Sequence, residues 1–158
     1  MKTLIGYVSQ HGCTETCANL INEKLDETAT VVNLKKNKKI DLSEYDRVIL
    51  GGSIHAGRVQ GYLRRFCQQH LNELLSKELA LYICCMEKGE KAHAQFDNAF
   101  LEQLRKYAKA SAILGGQFNF EKMNFIEKAA IRKIAGVDAS VDELNRAALD
   151  VFVADILK

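Results

Sequence analysis

Leu4-Ile5-Gly6-Tyr7-Val8-Ser9-Gln10-His11-Gly12-Cys13-Thr14-Glu15 is the stretch on which the rest of the chain turns. Its first five residues form a short apolar run, and Ser9 to Thr14 then break that run with small polar residues around a glycine. Directly afterwards Cys17, Leu20, Ile21 and Leu25 recur at helical spacing, so the segment reads as strand, loop, helix.

The alternation continues along the chain. Residues 28–34, rich in β-branched side chains, read as a second strand, and the polar stretch 35–46 leads to a third at 47–50 that ends in Gly51-Gly52-Ser53. From Gly61 onward Leu63, Phe66, Cys67, His70, Leu71 and Leu74 predict a helix. Residues 79–85 carry no charge and predict a strand buried on both faces. Phe96, Phe100, Leu104 and Tyr107 mark another helix, 112–118 a fifth strand, and 141–157 a closing helix. Repeated strand–helix units imply right-handed crossovers and a parallel sheet covered on both sides. An extra piece, 121–137, precedes the closing helix and sets Met123, Ile126, Ala130, Ile134 and Val137 on one helical face. Such a stripe ordinarily packs on its own core, with partner or membrane contact as the alternative.

Composition bounds the rest. The 158 residues contain no proline, no internal repeat and no linker-like stretch, so residues 1–158 are expected to form one domain. An apolar share of 47% with 27% charged residues is that of a globular protein. The net charge of +2 is spread in both signs, which leaves no broad basic face for a nucleic acid. The run Lys35, Lys36, Lys38 and Lys39 reads as a solvated loop, with docking on an anionic partner or lipid surface as the alternative. Five cysteines, odd in number and without a C-x-x-C pair, point to a reducing cytoplasm, and MKTLIGYVSQ is too short and too quickly polar for a signal peptide. No stretch approaches the ~18 apolar residues a membrane span needs, so any membrane contact is expected to be peripheral. No metal site is expected.

In an open parallel sheet, ligands bind outside the carboxyl ends of the strands, which directs attention to loops 9–16, 52–61 and 85–93. The first carries Ser9, His11, Cys13, Thr14 and Thr16 around Gly12 and opens straight into a helix. The free amides and partial positive charge of that helix N-terminus, with the hydroxyls, can enclose a phosphate dianion. The chain lacks both G-x-x-x-x-G-K-[ST] and G-x-G-x-x-G, so a mononucleotide phosphate fits better than a P-loop triphosphate or a dinucleotide. The competing reading makes Ser9 or Thr14 an ordinary helix cap.

Ser9-Gln10-His11-Gly12-Cys13-Thr14-Glu15 resembles the flavodoxin phosphate loop, [ST]-x-[TS]-G-x-T-E, matching at Ser9, Gly12, Thr14 and Glu15 and departing at His11. More widely, Met1-Lys2-Thr3-Leu4-Ile5, the run from Tyr45 through Ile54, and Gly52-Ser53-Ile54-His55-Ala56-Gly57 are similar to the flavodoxin-domain subgroup that includes menaquinone-dependent protoporphyrinogen dehydrogenase. The resemblance implies an α/β, flavodoxin-like, doubly wound five-stranded parallel sheet in the order 2-1-3-4-5, with helices on both faces and an extra helix before the last. It also implies one FMN. By it Ser9, Gln10, His11, Gly12, Cys13 and Thr14 surround the phosphate, while Ser53, Ile54, His55, Ala56 and Gly57, together with Cys85, Met86, Glu87, Lys88 and Gly89, border the isoalloxazine ring.

The chain has no Trp to stack on that ring, and its ring loops offer Ile54, His55, Met86 and Glu87 instead, leaving one ring face open to a substrate. His55 either contacts the ring or is an exposed bystander. Cys84 and Cys85 close a buried strand and read as small hydrophobes. No catalytic acid or base is assigned. The functions implied are an electron-transfer flavoprotein serving a redox partner protein, or a protoporphyrinogen IX dehydrogenase-type enzyme passing electrons to a quinone. A flavin-free interaction domain is the third reading, since fold alone does not fix function. Dedicated carriers tend to be strongly acidic, so the slightly basic charge and added helix favour an enzyme, whereas the compact stretch 86–98 counts against the protoporphyrinogen assignment.

Overall fold

The computed structural model describes residues 1–9, 12–55, 58–59, 61–118, 124–135 and 141–158. The chain runs β1 (Thr3–Val8), α1 (Cys13–Lys24), β2 (Ala29–Asn33), β3 (Arg47–His55), β4 (Arg58–Val59), α2 (Gly61–Gln69), α3 (Leu71–Leu74) and β5 (Glu78–Cys84). It continues as α4 (Gly89–Ala99), α5 (Glu102–Tyr107), β6 (Ala110–Ile113), β7 (Gly115–Phe118), α6 (Phe125–Ala135), β8 (Val141–Leu144) and α7 (Arg146–Leu157). The main sheet is parallel in the order β2-β1-β3-β5-β6, which is the 2-1-3-4-5 order expected of the five principal strands.

Because strand side chains alternate faces, the apolar runs supply two cores at once. Leu4, Val48, Leu50, Leu79, Leu81 and Ile83 face the side covered by α2 and α4, where Leu63, Phe66, Ala92 and Phe96 meet them. Ile5, Tyr7, Ile49, Ala80 and Tyr82 face the other side, under Cys17, Ala18 and Ile21 of α1 and Leu149, Phe152 and Ile156 of α7. From Leu79 onward β5 is buried on both faces, as the uncharged run 79–85 predicts.

The amino ends of the strands are tied by charge. Arg47, almost wholly buried at the start of β3, binds Glu27 at 2.6 Å and Glu78 at 3.0 Å, and Lys109 binds Glu78 at 2.8 Å. Lys109 and Arg47 hold the Glu78 carboxyl below its ordinary range, the Lys109 hydrogen bond contributing most.

Three expectations require correction. The third strand does not stop at Leu50 but runs through both glycines to His55, whose backbone then pairs antiparallel with β4. The fifth strand is cut in two: β6 stays in the main sheet, and the chain swings out at Gly115, with φ of 74°, into β7, which pairs antiparallel with β8. Consequently the closing helix does not begin at Val141. Residues 141–144 are strand, and α7 starts after Asn145, whose side-chain oxygen accepts the Ala148 amide at 2.9 Å. Two helical patterns also divide, α2 from α3 and α4 from α5. In the inserted piece, Ile126 of α6 is 77% exposed; Met123 and Val137 lie outside the described residues.

Candidate functional site at the carboxyl ends of the strands

The register of the sheet brings the three sequence-predicted loops together. Val8 pairs with Gly52 across β1 and β3, and Ser53 pairs with Cys84 across β3 and β5, so the chain leaves adjacent strands at Ser9, beyond Ser53, and at Cys85. Neighbouring strands lie about 4.8 Å apart, which places all three exits within roughly 10 Å across the sheet.

The first exit is a tight turn. Gly12 adopts φ of 91°, a left-handed conformation that glycine takes without the penalty a Cβ imposes, and its amide donates to Ser9 Oγ at 3.0 Å. The first intrahelical bond of α1 is Thr16 N–H to Gly12 C=O, so the amides of Cys13, Thr14 and Glu15 precede it. Among the described residues no side chain accepts an amide of the first turn: the Ser9 hydroxyl takes the Gly12 amide and the Thr14 hydroxyl takes none, which sets aside the ordinary-cap reading of both. Burial, reinforced by Glu15, raises the Tyr7 phenol and keeps it protonated.

Thr14 is fully buried, and its hydroxyl meets no hydrogen-bond partner among the described residues. Leaving such a group unmatched costs about 1–3 kcal/mol, so a partner from outside the chain has something to gain there. Its carbonyl, by contrast, is fixed by the Tyr82 hydroxyl at 3.0 Å. Tyr82 occupies the space above Gly51: a Cβ at that glycine would lie 1.9 Å from the Tyr82 ring. These two residues position the head of α1, and the sequence reading did not single them out. A glycine inside an otherwise β-branched strand was the one available signal.

In the second and third exits, Ser53 and Ile54 belong to the end of β3, with Ile54 packed on the α2 side. Cys85 is buried, Met86 half-buried, and Glu87, Lys88 and Gly89 are exposed. Met86 crosses Gly116, where a Cβ would meet its sulfur at 2.4 Å. Gln10, His11, Ala56 and Gly57 lie outside the described residues, as does the His55 side chain. A cleft of about 1160 Å³ opens between α4 and α7, lined by the whole 85–89 loop and with Phe96, Ile113, Asn145 and Phe152 among its walls. Ser9, Thr14 and Ser53 do not line it, so of the three loops the cleft involves only the third.

Beneath the loop, Cys13, Cys17 and Cys84 converge, all buried, with Cys17 and Cys84 sulfurs 3.4 Å apart. Hydrogen bonds from Cys17 and Cys84 favour the thiolate at Cys13 over the other two. Burial instead pushes Cys85 up to about 11 and Cys67 up to about 12.

A flavodoxin-domain family model matches residues 4–143. The chain belongs to the flavodoxin-domain family. Within that family it is 26% identical over 142 residues to protoporphyrinogen IX dehydrogenase [quinone] of Escherichia coli strain K12, covering 85% of this chain and 78% of that one. Solved flavodoxins share the architecture. That of Streptococcus pneumoniae TIGR4 superposes with a TM-score of 0.56 at 15% identity, covering 99% of this chain and 98% of the other. Oxidised flavodoxin 1 of Bacillus cereus gives a TM-score of 0.51 at 18% identity, covering 99% and 97%. For this flavodoxin-domain chain, the donor set at the first loop is amides, a serine and a buried threonine, which suits a phosphate monoester. No helix among the described residues is long and apolar enough to cross a membrane.

Proposed function

We propose that this chain binds one FMN and works as an oxidoreductase, moving electrons between a donor and either a redox partner protein or a quinone. The observation that carries the reading is the buried Thr14 hydroxyl at the head of α1, which has no hydrogen-bond partner among the described residues. The amides of Cys13, Thr14 and Glu15 and the Thr14 hydroxyl would hold the phosphate, with Ser9 bracing the turn. Gln10, His11, Ala56 and Gly57 join the site in this reading. Backbone groups at 53–57 and 85–89 would meet the polar edge of the ring, with Ile54 and Met86 as apolar neighbours. The flavin supplies the hydride and single-electron chemistry; the protein supplies orientation and electrostatics.

A second, narrower reading is a protoporphyrinogen IX dehydrogenase-type enzyme that delivers electrons to a quinone. It is favoured by the relative in Escherichia coli, which carries that name and aligns over 78% of its length. The five unpaired thiols suit a reducing cytoplasm, where we place the protein.

Titration of the flavin-free chain with FMN, FAD and riboflavin tests the first reading. Tight FMN binding with weak riboflavin binding is expected, and equal affinity for the two would overturn the phosphate assignment. Anaerobic photoreduction followed by a menaquinone analogue then separates the functions. Rapid reoxidation by the quinone supports the enzyme, and reoxidation only by a protein acceptor supports the carrier.

A further inference from the structure

All five cysteines are buried, yet they fall into two groups. Cys67 and Cys85 stand apart and pack as small hydrophobes. Cys13, Cys17 and Cys84 bring their sulfur atoms within 4.8 Å of one another. Cys13 and Cys17 are one helical turn apart on α1, while Cys84 ends β5, so two separate elements contribute ligands to one point. This convergence is invisible in a linear search for C-x-x-C pairs.

We propose that Cys13, Cys17 and Cys84 form a trigonal site for one Cu(I) ion. Soft thiolates select Cu(I), zinc and iron–sulfur clusters over hard cations, and the number of ligands then separates the first two. A metal–sulfur bond of about 2.3 Å puts three trigonal sulfurs about 4 Å apart, within reach of a group whose Cys17 and Cys84 sulfurs are 3.4 Å apart and whose members all lie within 4.8 Å. Zinc in structural sites takes four ligands, and no fourth His, Cys, Asp or Glu atom joins the group among the described residues. The surroundings include Ala18, Ile21 and Tyr82, an apolar shell that disfavours water as a fourth ligand. Cys13, at 7% exposure, is the least enclosed of the three and marks the entry side. On binding, three sulfur–copper bonds form, thiol protons pass to solvent, and the copper keeps its oxidation state.

The test uses the full chain without flavin, under anaerobic conditions, with Cu(I) or Zn(II) as the only added metal. A chromophoric Cu(I) chelator serves as competitor. One Cu(I) per chain retained against the chelator is expected, with three sulfurs at about 2.3 Å by X-ray absorption, a readout that needs no variant. Cys17→Ser and Cys84→Ala should each weaken retention at least a hundredfold, beyond the range produced by losing only a supporting contact. Cys67→Ala should leave it unchanged. Failure of the wild-type chain to retain copper would overturn the site. So would equal retention by folded Cys17→Ser, or cysteine-dependent Zn(II) binding without Cu(I) binding. The site is independent of the flavin reading, because retention is measured without FMN.

Discussion

Thr14 offers a clean separation of binding from folding. Its hydroxyl has no partner within the described chain, so Thr14→Val, nearly isosteric, should leave stability to urea unchanged or slightly raised. FMN affinity should fall by about ten- to a hundredfold, the effect of losing a hydrogen bond to a charged group. A variant that loses stability and keeps its FMN affinity would assign the hydroxyl to the fold instead. At this scale Ser9, Gly12 and Thr14 were legible because the loop pattern is local, contained in seven consecutive residues. Tyr82 and Gly51 were not legible in that way. Their relation is a cross-strand pairing between residues 31 positions apart, and only the register of β3 against β5 reveals it. The thiol cluster was hidden for the same reason.

At the scale of elements, the alternation of strand and helix was readable because each apolar run has one dominant period. It failed where two periods overlapped. Leu144 and Ala148 continue the spacing of α7 backward, and residues 141–144 therefore looked helical. Their partner strand exists only because Gly115 turns the chain out of the main sheet: a Cβ there would lie 2.1 Å from the Glu143 carbonyl oxygen. Tertiary pairing thus overrode local periodicity. The true start of α7 is set by its cap, and Asn145→Ala should destabilise the protein by about 0.5–2 kcal/mol in urea melts. Asn145→Asp, which keeps the acceptor, should recover most of that loss. Equal destabilisation by both would show that the cap oxygen is not what matters.

Across the whole molecule, the work of holding and the work of binding occupy opposite ends of the sheet. Glu78 is held below its ordinary value of 4.5 by Lys109 and Arg47, so its stabilising contribution is present above that value and is lost as pH falls through the depressed one. Acid unfolding followed by circular dichroism should therefore show stability declining below about pH 4.5, with a shallower decline in Glu78→Gln. An identical acid profile in the variant would remove Glu78 from the clamp. That ionic base is separated from the loops by the length of β1, six residues or about 20 Å. Substitutions so far apart contribute independently to stability. A lineage built on this plan is thus free to rewrite the mouth of the sheet, changing electron donor, acceptor or redox tuning, while selection on the foundation continues undisturbed; evolvability here is a matter of distance.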